Sequence, residues 1–245
     1  MERKEWFAEW FDSKYYHILY NNRNYQEAEA FLSKLIDFLK PNLSDKIIDL
    51  ACGKGRHSIY LNKLGYDVTG IDLSVNSIKE ASLFANEKLK FEMADLRNLP
   101  YNNAFEFGLN LFTSFGYFES DKVNIEVFSQ FNKILKPNGI ILVDFLNATK
   151  IYAQTNCVEA KEIEGIQFQI NKKIENNRVI KTIEFSDNGN KNFYSESVQL
   201  LELSDFEKLV EQTSFKLLHV FGNYNLEPYN QELSDRLIIL AQKIA

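Results

Sequence analysis

The chain has only two cysteines, Cys52 and Cys157, among its 245 residues. They form neither a disulfide framework nor a metal-ligand spacing, which argues against a cysteine-stapled secreted scaffold. A reduced, cytoplasmic setting is expected. Histidine is nearly as scarce, with three residues, so candidates for a general base are few. No apolar run approaches the ~20 residues that span a bilayer. Met1 to Trp10 alternates charge with aromatic residues instead of forming an apolar signal core, and no membrane association is expected. Net charge is −6 and no run of Lys or Arg stands out. Phosphate backbones call for concentrated positive charge, so nucleic acid is not an expected partner. The sequence also lacks a metal constellation, a serine nucleophile elbow and a Gly-x-x-x-x-Gly-Lys-Ser/Thr phosphate loop.

What the sequence does have is a hydrophobic share of 45%, enough for a packed core, and one organising stretch. Lys46-Ile47-Ile48 reads as a short apolar strand. Asp49-Leu50-Ala51-Cys52-Gly53-Lys54-Gly55-Arg56-His57 follows, and Ser58 to Leu64 reads as a helix. Strand, glycine turn and helix together present backbone N–H groups and a helix N-terminus to a ligand. Gly53 and Gly55 permit backbone angles and a close approach that a side chain would forbid. A second strand, Asp67 to Ile71, ends in Asp72, where an acid can accept hydrogen bonds from both hydroxyls of an adenosine ribose. A dinucleotide site would want a third glycine where Ser58 stands, and would gain nothing from an acid at Asp49. A carboxylate at Asp49, facing the ligand, favours a cationic one.

The run Asp-Leu-Ala-Cys-Gly-Lys-Gly resembles the first motif of the class I S-adenosylmethionine (SAM) methyltransferases, and Asp72 matches the acid of their second motif. The resemblance extends from about Asp45 to Leu146. Ala94-Asp95-Leu96 resembles the family's acid-plus-apolar step after the third strand, Leu89 to Met93. Leu135-Lys136-Pro137-Asn138-Gly139, before the strand Ile140 to Phe145, is another family landmark with a mechanical role, a helix stop and a turn. The resemblance implies a three-layer αβα sandwich around a seven-stranded, mostly parallel sheet. It implies SAM as cofactor and S-adenosylhomocysteine as product. It places Asp49, Gly53 and Gly55 at the amino acid moiety, Asp72 at the ribose and Asp95 with Leu96 at the adenine, with Ala51, Cys52 and Leu73 also among the cofactor-binding residues.

The fourth strand, Phe105 to Phe112, runs into a loop at the carboxyl end of the sheet, the side where such sheets bind ligands. Leu111 and Phe112 are therefore expected as an apolar floor beside the sulfonium, and Tyr117 as a group that holds the acceptor or its proton. Upstream, Trp6, Phe7, Trp10 and Phe11 share one face of a short helix expected to pack on the domain. Residues 1–24 form an aromatic cap segment. By the resemblance, Tyr15, Tyr16, Tyr20 and Arg23 line the site, Arg23 pairing with the methionyl carboxylate. Tyr16 and Tyr117 are the candidate catalytic residues. His57 is expected to cap or pack, and His219 to lie in the core.

Tyr25 to Lys40 is an amphipathic helix. Ser74 caps another with apolar positions at Val75, Ile78, Ala81, Phe84 and Ala85. Ser204-Asp205-Phe206-Glu207 reads as a capping box. Residues 150–203 break the alternation of strand and helix. Ile166 to Ile170, Val179 to Phe185 and Phe193 to Leu200, separated by Asn-rich turns, read as an antiparallel meander inserted in a single domain spanning 1–245. It covers either the mouth of the site or a partner subunit. Phe215 to Phe221 and Leu237 to Ala241 are the last strands, the final one antiparallel. Tyr224 and Tyr229 lie on the site side between them. The reading is a methyltransferase acting on a small-molecule acceptor, as a monomer or homodimer. Two alternatives stay open: a SAM-binding sensor or non-catalytic subunit, and an NAD-dependent oxidoreductase.

Overall fold

Burial along Lys46–Leu50 is complete after its first residue, as a strand covered on both faces requires. This is β1 in the computed structural model of the chain, which describes residues 5–20, 25–153 and 157–244. The strands that follow are β2 (Asp67–Asp72), β3 (Leu89–Met93), β4 (Phe105–Asn110) and β5 (Leu135–Leu146). Four more, β6 (Cys157–Ile163), β7 (Ile166–Glu175), β8 (Arg178–Asp187) and β9 (Asn190–Gln199), make a separate sheet. β10 (Phe215–Phe221) and β11 (Arg236–Lys243) return to the first.

Among the described residues the main sheet has seven strands in the order β10-β11-β5-β4-β1-β2-β3. All are parallel except β11, which runs antiparallel between β10 and β5. The helices in chain order are α1 (Trp6–Trp10), α2 (Lys14–Leu19), α3 (Tyr25–Leu39), α4 (Arg56–Lys63), α5 (Val75–Ala81), α6 (Asp121–Ile134), α7 (Ala148–Ala153) and α8 (Leu203–Gln212). Ile47 and Ile48 point to opposite faces, as successive strand residues must. Ile47 joins Phe31, Leu32 and Leu35 of α3 and Leu61 of α4. Ile48 joins Phe128 and Phe131 of α6 and Phe206 of α8. Two helical layers around one sheet give the αβα sandwich. No described helix is long and apolar enough to cross a membrane.

The inserted sheet has one strand more than its sequence pattern predicts. β6 was hidden because all but its last residue are exposed and no apolar alternation marks it. Phe168, Ile170, Ile183 and Phe185 face inward and pack on Trp10 and Leu19, so the N-terminal helices fill the concave side of the meander. Trp10 Nε1 donates to Glu196 at 2.8 Å, and the Tyr15 hydroxyl donates to Asp187 at 2.8 Å.

Several local expectations change. The helix after Ser74 stops at Ala81 and tightens into a 3-10 turn at Ser82–Phe84, leaving Val75 and Phe84 exposed. The Ser82 hydroxyl folds back onto the Ile78 carbonyl at 2.7 Å, a bond that competes with helix continuation. α8 begins one residue before Ser204; Asp205 accepts from the Glu202 N–H at 3.0 Å, so the box is set by Glu202 and Asp205. His219 is exposed, not buried, because β10 is an edge strand; its ring stacks on Phe221.

Candidate active site

The turn from β1 to α4 puts three residues in the left-handed region: Ala51 (φ 61°), Gly53 (φ 55°) and Gly55 (φ 76°). The two glycines serve different ends. A Cβ on Gly53 would meet nothing within 4 Å, because the residue opens onto a cavity. A Cβ on Gly55 would lie 2.5 Å from Cε1 of Phe91 on β3, so Gly55 lets the turn sit against the sheet and does not line the cavity. Asp72, at the tip of β2, accepts from the Gly53 N–H and the Ser74 N–H, each at 2.8 Å. Its carboxylate thereby locks the turn and remains on the cavity wall. Burial raises its pKa despite these bonds.

The cavity has a volume of about 290 Å³, at the lower end of the range for small-molecule sites. Of the residues singled out from sequence, Tyr16, Tyr20, Ala51, Cys52, Gly53, Asp72, Leu73, Asp95, Leu96, Leu111, Phe112 and Tyr117 all line it. The Asp95 carboxylate is engaged by the Arg97 guanidinium at 2.6 Å and by the Arg97 N–H at 2.9 Å. Arg97 in turn bonds Glu5, so the strand-three loop and the start of α1 are clasped together. The Cys52 thiol is buried, and burial pushes its pKa well up, with Asp49 and Asp72 adding to the effect; it is a poor nucleophile.

Asp49 departs from expectation. It is only 1% exposed and does not face the cavity; its carboxylate accepts the Ser58 hydroxyl at 2.6 Å behind the turn. Burial pushes its pKa up to about 6, the Ser58 bond offsetting part of that. Tyr15 also turns away, bonding Asp187 and packing on Phe185. Arg23 lies outside the described residues. Phe7 and Phe11, read as packing residues, pack as expected and also wall the cavity. His17 of α2 lines it as well. Their helical spacing gave no means of separating the two roles.

His57 packs. Its ring stacks on Phe112 at 5.1 Å and 14°, and Arg56 lies over the same ring at 4.2 Å. His57→Ala is expected to leave turnover within a few-fold once an acceptor is in hand; a loss of about a thousandfold in kcat would make His57 a base instead.

A second cavity of about 430 Å³ lies between the main sheet and the meander. Phe11, Tyr16, Tyr20, Phe112, Ser114 and Tyr117 line both cavities and form the junction. Tyr117 is packed against Trp6, Phe7 and Phe11, and its hydroxyl donates to the Thr113 carbonyl. The loop that carries Phe112 and Thr113 is left-handed at both residues (φ 57° and 61°). It is held by Asp144 of β5, which sequence reading passed over as one polar residue in an apolar strand. Asp144 is fully buried and accepts from Phe112 N–H at 2.8 Å, Arg236 Nε at 2.7 Å and the Tyr224 hydroxyl at 3.1 Å. Arg236 also donates to Thr113 Oγ1 at 2.9 Å. Burial, then the Asp144 charge, holds the Tyr224 phenol well above its usual pKa. Tyr224 is thus a strut of the loop, and Tyr229 bonds Asn147 at 3.3 Å; neither lines either of these two cavities.

The residues present suit a SAM-like ligand. The open space over Gly53 admits close backbone approach, Asp72 offers a carboxylate at the end of β2, and Leu73, Ala94 and Leu96 offer apolar surface beside it. Sheet order, strand-end turn and acid together define a Rossmann-like fold of the methyltransferase type. Residues 47–139 match the family model described as "Methyltransferase domain". The Bacillus subtilis protein YqeM, named as a methyltransferase, is 34% identical over 109 residues, 43% of this chain and 44% of its own length. A glycine/sarcosine N-methyltransferase of Aphanothece halophytica is 26% identical over 92% of this chain and 85% of its own. The crystal structure of a SAM-dependent methyltransferase from Clostridium acetobutylicum superposes with a TM-score of 0.80 at 18% identity, covering 98% of both chains. The chain spans about half the length of curated methyltransferases such as YqeM. Its fold is that of the SAM-dependent methyltransferases.

Proposed function

We propose that this protein transfers a methyl group from SAM to a small-molecule amine. The observation that carries the reading is the pair of adjoining cavities, one at the glycine turn and one under the meander, meeting at six shared residues. When bound, SAM supplies a methyl group already activated by a sulfonium. The chain's task is then to hold two molecules in line and exclude water. Phe11, Phe112 and the rings of Tyr16, Tyr20 and Tyr117 do this at the junction. None of the six junction residues is Asp, Glu or His. A site without a base at that point suits an amine that arrives neutral better than a hydroxyl or carbon acid, which gains more from proton abstraction. The Aphanothece relative is named as an N-methyltransferase, which agrees. Tyr16 and Tyr117 position the acceptor. Asp72 holds the ribose, and Asp95 with Leu96 the adenine once Asp95 shares its carboxylate with Arg97.

Titration calorimetry with SAM, S-adenosylhomocysteine and NAD tests the cofactor assignment. Binding of the first two without NAD is expected; binding of NAD alone overturns it. In the same assay, Asp72→Ala should weaken S-adenosylhomocysteine binding by roughly 1.5–3 kcal/mol, the scale of hydrogen bonds to a charged group. Unchanged affinity would place the ribose elsewhere. A screen of small amines with methyl-labelled SAM then tests turnover, and binding without turnover of any amine would favour a sensor.

A further inference from the structure

The cavity under the meander is lined by more positive than negative charge. Lys161, Lys172, Lys181 and Arg236 face it, against Glu159 and Glu196. Most of these charges are matched. Arg236 is paired with the buried Asp144, and Lys161 with Glu159 at 3.0 Å at the exposed rim. Lys181 lies 3.7 Å from Glu196, donates to the Tyr20 hydroxyl and sits over the Tyr20 ring. Lys172 has no ion pair among the described residues, although it is half-buried.

The register sharpens the point. Lys172 on β7 stands directly opposite Lys181 on β8, and Lys181 stands opposite Glu196 on β9. Like charges directly opposite on neighbouring antiparallel strands are destabilising. Glu196 cannot relieve both lysines, because one of its oxygens already accepts from Trp10 Nε1 and the Tyr20 hydroxyl, at 2.8 and 2.7 Å. Burial, then the neighbouring Lys181, lowers the pKa of Lys172, and the opposing effects of Cys157 and Glu159 do not offset them. Apolar residues surround the pair: Ile170 on the same strand, Val179 and Val198 on the next two, and Leu146 and Ile151 opposite.

We propose that this cavity is the acceptor site and that the acceptor carries an anionic group, a carboxylate or a phosphate, which Lys172 binds with Lys181 beside it. The proposal rests on the reading that the methyl donor occupies the cavity at the glycine turn. The anion anchors one end of the acceptor among the lysines, and its amine reaches the junction at Tyr16 and Tyr117. Apolar walls around the lysines strengthen the attraction by keeping water away. Selection then favours amino acids or phosphorylated amines over neutral amines of the same size.

The test uses the full chain saturated with S-adenosylhomocysteine, titrated with sodium acetate and with inorganic phosphate at constant ionic strength, sodium chloride being the control. Thermal unfolding and calorimetry are the readouts. Saturable binding of at least one anion above the chloride control is expected, and which one binds tells carboxylate from phosphate. Lys172→Met should weaken that binding by about tenfold or more, the loss of a charge-assisted hydrogen bond. Lys172→Arg should retain it. Lys172→Met should be at least as stable as the wild type without anion, since it removes the opposed pair. Absence of anion binding by the wild type overturns the proposal, as does equal binding by Lys172→Met. S-adenosylhomocysteine affinity, measured on the same samples, separates the two readings. Donor binding without anion binding sinks only the acceptor proposal; anion binding without donor binding sinks the methyl-donor reading and with it the assignment of this cavity to an acceptor.

Discussion

Asp144→Ala is expected to cost about 3–5 kcal/mol of folding stability, the range seen when one member of a buried ion pair is removed. The substitution leaves the Arg236 guanidinium buried without its counter-charge and strips acceptors from the Phe112 N–H and the Tyr224 hydroxyl. For a chain of this size the corresponding drop in melting temperature is on the order of 6–20 °C. The effect also reaches the site. Phe112 and Thr113 hold left-handed backbone angles that cost free energy and persist only while the surroundings impose them. Without Asp144 the loop relaxes and the junction between the cavities loses its shape. S-adenosylhomocysteine affinity should therefore fall along with stability. Asp144→Asn, which keeps an acceptor for the Phe112 N–H, should lie between the two. Denaturant unfolding measures the first effect and calorimetry the second; a stability loss below about 1 kcal/mol for the alanine variant would show that Arg236 finds another partner.

Asp49→Asn should act in the opposite direction and make the ligand-free protein more stable near neutral pH. Burial raises the Asp49 pKa from 3.8 to about 6. The native state thus holds a proton that the unfolded chain releases between about pH 4 and 6, and stability falls as pH rises through that window. Above it the buried carboxylate carries its full cost, about 3 kcal/mol for that displacement. Asparagine occupies the same space, can still accept from Ser58, and stays neutral. The expected gain over the wild type is about 1–3 kcal/mol at pH 7.5 and near zero at pH 4, read by denaturant titration at both values. A variant less stable than the wild type at pH 7.5 would mean that the charge is compensated in the native state. In the proposed function the compensation comes with the ligand: a cationic donor near the turn favours the carboxylate, so the stabilised variant should bind SAM more weakly than the wild type. Stability given up before binding and recovered on it is the pattern expected of a site residue that does not touch solvent.

Much of this arrangement was legible before any coordinates. The glycine turn, Asp72, the Ala94-Asp95-Leu96 step and the βα order are local signals, each carried by a few adjacent residues whose backbone demands leave little choice. They gave the sheet and most of the first cavity. The second cavity was not legible, because it is made by residues far apart in sequence. Lys172 and Lys181 each look like an ordinary solvated lysine until strand register sets them opposite each other. Asp144 looks like a stray polar residue until Arg236, 92 residues later in the chain, arrives beside it. β6 is exposed along nearly its whole length and so carries no core-facing pattern. Asp49 misleads in the opposite way: a carboxylate at the end of a central strand reads as facing the ligand, but Ser58 in the first turns of α4 draws it back beneath the turn.

The packing of the N-terminal helices into the concave side of the meander also fixes an order of events during synthesis. Trp10 is made 186 residues before Glu196, its hydrogen-bond partner. At roughly 5–20 residues per second, that is about 10–40 seconds on the ribosome. For that time Trp10 has no meander to cover it, while β1 to β5 can already pair and offer Phe7 its packing partners. The five parallel strands β1 to β5 with their glycine turn can therefore pair first, and Trp10 docks only after the meander and before or with β10 and β11. Slowed elongation through β6 to β9 would lengthen the exposure of Trp10 and raise the demand for chaperones, without altering a single residue of the finished protein.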